Sequence, residues 1–160
     1  MVANTNLGEQ AVLQASASLQ PMQPISLSLK PSFTQMESWR CARAIVDIMK
    51  HFEGHPEHLK FFDFNAGSGQ VGELLAEQGF SEVYGQEASQ IKKQILLRKG
   101  NYRDVEQFIV GKGSLPRNQK GAYDVVTCAG GLGTSLLPAK FFDDVVYAMR
   151  PGGLAVFTVA

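Results

Sequence analysis

The stretch Phe61-Phe-Asp-Phe-Asn-Ala-Gly-Ser-Gly69, running directly into Gln70-Val-Gly-Glu-Leu-Leu-Ala-Glu-Gln-Gly79, decides the fold. Leu59 to Phe64 does not alternate between apolar and polar, so it reads as a strand buried on both faces. The run ends in small residues, and Val71, Leu74 and Leu75 then recur at helical spacing. Strand, glycine turn and helix follow one another. Gly67 and Gly69 let the backbone turn tightly and come close to a ligand, and the new helix aims its unpaired N–H groups at the same place. Asp63 stands where the strand enters the turn.

Downstream, the same alternation repeats. A second strand is expected over Glu82 to Gln86 and a helix from about Ser89 to Lys99. Val105 to Val110 reads as a third strand, Gly111 to Gly121 as a polar loop, and Tyr123 to Ala129 as a fourth strand. The small-residue loop Gly130-Gly-Leu-Gly133 follows, then a helix opened by Pro138 and reaching Met149. Arg150-Pro-Gly-Gly153 reads as a turn and Leu154 to Ala160 as a fifth strand. Upstream, Thr34-Gln-Met-Glu37 has the form of a capping box, and Met36, Trp39, Ala42, Ile45, Val46 and Met49 continue a helix that ends near Gly54 and Pro56. Residues 1–33, broken by Pro21, Pro24 and Pro31, read as an extended arm, and residues 34–160 as one domain. The fold class is α/β: a doubly wound, mostly parallel sheet with helices on both faces.

Composition bounds the function. The formal net charge is zero, which argues against nucleic acid or an anionic membrane as the main partner. Charged residues make up only 19%, below the usual quarter, which points to surface covered by a protein partner. No apolar run reaches the ~20 residues of a membrane span. Cys41 and Cys128 form no ligand spacing or disulfide framework, so a reducing intracellular compartment, the cytoplasm, is expected. The N-terminus lacks the basic start and apolar core of a secretory signal. Its scarcity of acids would suit a mitochondrial address, but no arginine precedes Arg40. His51, His55 and His58 straddle Gly54 and Pro56, which spoils a helical metal-ligand spacing. Lys92, Lys93, Arg98, Lys99 and Arg103 read as a solvated basic face.

Glu87, about 20 residues past the turn in Val83-Tyr-Gly-Gln-Glu87, stands where an acid can hold both hydroxyls of a ribose. Gly67, Gly69 and Gly72 also fit G-x-G-x-x-G, but Asp63 and Asn65 are not called for by a dinucleotide turn. With Asp63 and Glu87 included, the chain resembles the class I methyltransferases that use S-adenosylmethionine. Asp63-Phe-Asn-Ala-Gly67-Ser-Gly69 matches their first motif and Val83-Tyr-Gly-Gln-Glu87-Ala-Ser89 their second. Gly121-Ala-Tyr-Asp124-Val-Val matches the start of their fourth strand, and Met149-Arg-Pro-Gly-Gly153-Leu the turn before their fifth. Gly100-Asn-Tyr102 and Leu115-Pro116 resemble the methyltransferase-like group named for the Williams–Beuren chromosome region.

The resemblance implies a Rossmann-like sheet of strand order 3-2-1-4-5. It also implies that Asn65, Ala66, Gly67, Ser68 and Gly69 lie against the methionine part of S-adenosylmethionine, with Asp63 ordering the turn. Glu87 would bind the ribose and Ala88 lie against adenine. Cys128 and Ala129, up to Gly130, would line the space where donor and acceptor meet. No residue stands out as a general base, and the acceptor, a small molecule or a protein, stays open. The chain also departs from the family pattern. Asn65 replaces a glycine, Glu87 an aspartate, Lys92 an apolar residue over adenine, and Lys112 an acid at the adenine amino group. The last two strands of the seven-stranded methyltransferase sheet are missing, and no Asn-Pro-Pro-Tyr type motif follows the fourth strand. Two readings follow: a methyltransferase, or an inactive methyltransferase fold serving as a subunit of a larger complex. In either, the apolar edge strand Leu154 to Ala160 is where a protein partner is expected.

Overall fold

The computed structural model describes residues 33–49, 58–113, 115–132 and 137–159. Nearly all of the expected N-terminal arm, the break at Gly54 and Pro56, and His51 and His55 fall outside them. The elements run α1 (Phe33–Met49), β1 (Lys60–Asp63), α2 (Gln70–Glu77), β2 (Glu82–Gln86), α3 (Gln90–Lys99), β3 (Asp104–Glu106), a 3-10 turn (Arg117–Gln119), β4 (Tyr123–Leu132), α4 (Phe141–Ala148) and β5 (Met149–Val159). The strands pair in parallel in the order β3-β2-β1-β4-β5. That is the expected Rossmann-like α/β sheet.

β1 is central, with Phe61 in register with Val83 on one side and Val125 on the other. Its neighbours explain its unbroken apolar run. Phe61 faces one core with Ala42, Ile45 and Met49 of α1, Leu74 and Leu75 of α2, and Leu96 of α3. Phe62 faces the other, with Tyr123, Val126, Phe141 and Val145, and Phe64 beyond the strand end joins it. Phe61 and Phe62 are both 0% exposed, and burying each contributes about 2–3 kcal/mol. Edge-to-face contacts, Phe61 with Phe80 at 4.9 Å and Phe62 with Phe64 at 4.7 Å, fix the rings further.

Four local readings change. α1 begins at Phe33, which puts Thr34 inside its first turn instead of at its cap. β3 stops at Glu106 because the Phe108 carbonyl accepts from the Gln86 side chain, and Ile109 is 56% exposed. The loop after it is not merely polar: Val110 and Leu115 enter the second core, and Gly111 N–H donates to the buried Asp144 of α4 at 2.5 Å. β4 extends through Gly130 and Gly131, and Arg150 to Gly153 bulges out within β5. The register there jumps from Tyr123↔Met149 to Val125↔Leu154. Asp124 anchors the bulge through Arg150 Nε at 2.5 Å and also accepts from Lys60 N–H at 2.7 Å.

Candidate functional site

The glycine turn sits at the carboxyl end of the central strand, where open α/β sheets bind ligands. Asn65, Gly67 and Gly69 all have positive φ, at 55°, 58° and 86°. Asparagine is among the few side chains that bear this region, which is how Asn65 stands in for a glycine. Its neighbours hold the turn on both sides. Asn65 N–H donates to Gln86 Oε1 at 2.9 Å, Ala66 N–H to the Gln86 carbonyl at 2.9 Å, and Phe64 N–H to the Thr127 carbonyl at 2.8 Å. From outside, Lys99 Nζ donates to the Ser68 carbonyl at 2.7 Å and pairs with Glu73.

Asp63 is buried directly beneath the turn. Its Oδ2 accepts from the Tyr102 hydroxyl and its Oδ1 from the Thr127 hydroxyl, each at 2.8 Å. Burial raises its pKa to about 7 despite those two hydrogen bonds, which act in the opposite direction. The Tyr102 oxygen also accepts from Gly72 N–H at 3.1 Å, and burial beside Asp63 pushes that phenol well above its ordinary range. Glu87, also buried, uses backbone donors instead: Oε2 accepts from Gly67 N–H at 3.0 Å and Oε1 from Ser89 N–H at 2.9 Å.

Above the turn lies a cavity of about 270 Å³. Its walls are Asp63 and Asn65 to Ser68, the head of α2 at Gln70 and Val71, the end of β4 at Ala129 and Gly130, and Glu37, Ser38 and Cys41 of α1. Among the described residues, Glu37 and Asp63 are the only charged ones in these walls. A second cavity of about 420 Å³ shares Ser38, Gly67, Ser68 and Gln70 with the first and is completed by Lys92, Ile95 and Lys99. The two cavities share a lip, and their charges are opposite.

The expected site residues therefore divide. Asp63, Asn65, Ala66, Gly67, Ser68 and Ala129 line the first cavity, and Gly69 caps α2 beneath it. Glu87 lines neither cavity, and Ala88 lies exposed beyond it, its carbonyl accepting from Gln107 at 3.4 Å. Cys128 is buried in the core with Phe62 and Phe141 and does not line the cavity. Its thiol, pushed up to about 12 by burial and the nearby Asp63, is no nucleophile. Lys112 is exposed in the loop six positions past the end of β3, because that strand ends sooner than expected. Sequence reasoning missed Glu37, Ser38 and Cys41, and gave Tyr102, Gln86 and Thr127 no structural role. One signal was present. Gly85 inside a buried strand marks a close approach, and Tyr102 fills it.

These features meet where comparison gives the same answer. Residues 36–160 match the family described as "Methyltransferase domain". The chain belongs to that family. Among solved structures, the methyltransferase domain is similar to a TehB-like SAM-dependent methyltransferase from Corynebacterium glutamicum, at TM-score 0.55 and 16% identity over 93% of this chain and 68% of that one. An S-adenosylmethionine-dependent methyltransferase from Mesorhizobium loti gives 0.56 and 22%, over 77% of this chain and 52% of that one. Phosphoethanolamine N-methyltransferase 2 of Haemonchus contortus, solved with S-adenosyl-L-methionine, gives 0.56 and 18%, over 76% of this chain and 28% of that one. At such identities the likeness is one of fold. Comparison by sequence with curated proteins gives no match.

Proposed function

We propose that the domain binds S-adenosylmethionine against the glycine turn and transfers its methyl group to a nucleophilic atom of a small molecule or protein side chain. One observation carries this reading: among the described residues, the cavity over the turn is lined by two carboxylates, Glu37 and Asp63, and by no lysine or arginine. A sulfonium and an α-ammonium are both cations, and these walls suit them. The head of α2 opens on the same cavity and offers backbone N–H groups to the α-carboxylate. Glu87, held against Gly67, is the acid nearest the expected ribose.

When bound, S-adenosylmethionine would supply an electrophilic methyl group for a nucleophile's lone pair, the electron pair of the broken S–C bond staying on the departing thioether sulfur. The chain's own contribution is alignment by Asn65 to Ser68 and by Ala129 and Gly130. Glu37, exposed on the cavity wall, is placed to take the proton that an amine, hydroxyl or thiol acceptor loses.

Two finer readings belong to the same proposal. The chain falls with the Williams–Beuren-region group, supported by Gly100-Asn-Tyr102, whose tyrosine reaches Asp63. A protein partner pairs with the β5 edge. β5 ends the strand order and, among the described residues, pairs only with β4, while Phe142 and Val146 of the adjoining α4 are 47% and 70% exposed. Among the described residues, no helix is long and apolar enough to cross a membrane. Calorimetric titration with S-adenosylmethionine and with its demethylated product tests the cofactor site. Micromolar binding that Glu87→Ala abolishes is expected. A folded chain that binds neither up to millimolar concentration would leave the inactive-subunit reading in its place.

A further inference from the structure

Tyr102 belongs to no motif that reads the cofactor, yet two glycines make room for it. A Cβ at Gly72 would lie 2.6 Å from its ring Cζ, and one at Gly85 3.0 Å from Cδ1 and Cε1. The third glycine of the G-x-G-x-x-G spacing therefore serves this ring, and no ligand has to approach it. The ring delivers one hydroxyl to two places. It donates to the Asp63 carboxylate, which lines the cavity, and accepts from the N–H of Gly72 in the first turn of α2.

We propose that Tyr102 is a positioning residue of the cofactor site, holding the Asp63 carboxylate at the cavity wall and α2 at a fixed distance from it, so that cofactor capture is linked to the proton on Asp63. The inference rests on the cofactor reading above and adds a residue and a pH dependence to it. The groups that face Asp63 are few. Tyr102 reaches it from the α3–β3 connection and Thr127 from β4. The neutral thiol of Cys128 lies on β4, and Glu37 and Cys41 of α1 share the cavity. Glu73 of α2 acts on the Tyr102 side. Among the described residues no lysine or arginine pairs with Asp63, so only the two hydroxyls oppose its burial and no positive charge does. A cationic ligand is the natural counter-charge, and by linkage its binding expels the proton.

The experiment is calorimetric titration of the full chain with S-adenosylmethionine from pH 6 to 8.5, beside carbon-detected NMR titration of the Asp63 carboxyl in the free chain. Wild type should bind more tightly as pH rises through about 7 and release a proton there. Tyr102→Phe keeps the ring, so circular dichroism should be unchanged. It should move the Asp63 midpoint up by about one pH unit and weaken binding about fivefold at pH 7, the effect shrinking at pH 8.5. Asp63→Asn should flatten the pH profile, and adding Tyr102→Phe to it should leave that profile flat. An Asp63 midpoint that Tyr102→Phe leaves in place, or a loss of affinity equal at every pH, would overturn the proposal. Should wild type bind no cofactor, the proposed function fails, and the NMR titration alone still decides whether Tyr102 holds Asp63. If Tyr102→Phe does not fold, Thr127→Val should raise the same midpoint, and a midpoint it leaves unmoved counts against the proposal.

Discussion

Asp63 and Glu87 stand at the ends of adjacent parallel strands, one closing β1 and the other just past β2, and both are buried. Read in sequence they are two acids flanking one glycine turn. Their partners set them apart. Glu87 accepts from backbone N–H groups on both sides of the site, at Gly67 and Ser89, so it shapes the path of the chain. Asp63 accepts from two side-chain hydroxyls, and nothing on the main chain obliges it to be charged. An acid held by backbone is a structural fastener, whereas an acid held by hydroxyls under a cavity carries a charge its surroundings can tune.

The largest expected effect separates the two directly. Asp63 takes up its proton in the folded state near pH 7 and in the unfolded chain near 3.8. Between those values the folded state holds a proton that the unfolded chain has released. Stability is therefore full below pH 4 on this account and is lost as pH rises toward 7, by up to about 4 kcal/mol. Urea unfolding of the free chain at pH 5 and pH 8 checks it. Asp63→Asn should remove most of the difference between the two pH values, whereas Glu87→Gln should leave it. A difference that survives in Asp63→Asn would place the titrating group elsewhere.

Removing Glu87 comes next. Glu87→Ala strips the partners from two backbone N–H groups, Gly67 in the turn and Ser89 at the N-cap of α3, and each such loss costs about 1–3 kcal/mol where no water replaces it. Urea midpoints should drop accordingly, and cofactor affinity should fall by more than the destabilisation accounts for. Glu87→Asp, one methylene shorter, should recover part of both. Full recovery of stability without any recovery of binding would mean that the acid's place in the turn and its contact with ribose are separate properties.

The sheet was legible because its central strand is apolar on both faces and its turn is built of small residues; Phe61, Phe62, Gly67 and Gly69 suffice to place β1 and α2. Alternation of elements gave a parallel sheet, and its order followed from the resemblance to the class I methyltransferases. What escaped is instructive. Phe108-Ile-Val110 has the composition of a strand, but a side chain from β2, Gln86, takes the Phe108 carbonyl and ends the ladder. That competition cannot be read from either segment alone. Lys112 was set at the adenine for the same reason, by counting along a strand that stops earlier. Tyr102 carried no periodic signal, because its role depends on glycines 17 and 30 positions before it. Glu37 was visible only as half of a cap; its position on the cavity wall depends on how α1 lies across the turn.

Two smaller changes probe a support of Asp63 and a support of the turn. Thr127→Val keeps the shape and deletes one hydroxyl from Asp63, costing about 1 kcal/mol. Thermal unfolding checks that loss. The smallest effect belongs to Lys99, which fastens the outer side of the turn. Its Nζ pairs with Glu73 at 2.6 Å and also reaches the Ser68 carbonyl, which resembles a strong clamp. However, the two side chains are 36% and 40% exposed, and water screens and competes for such a pair. Lys99→Ala should therefore cost less than about 1 kcal/mol in urea unfolding, and the cost should shrink further in 1 M salt, where charges are screened beyond about 3 Å. A loss above about 2 kcal/mol that salt does not reduce would mean the bond to Ser68 holds the turn. In that case Asp63 and Glu87 would not be its main supports, and the contrast between them would describe the cavity more than the fold.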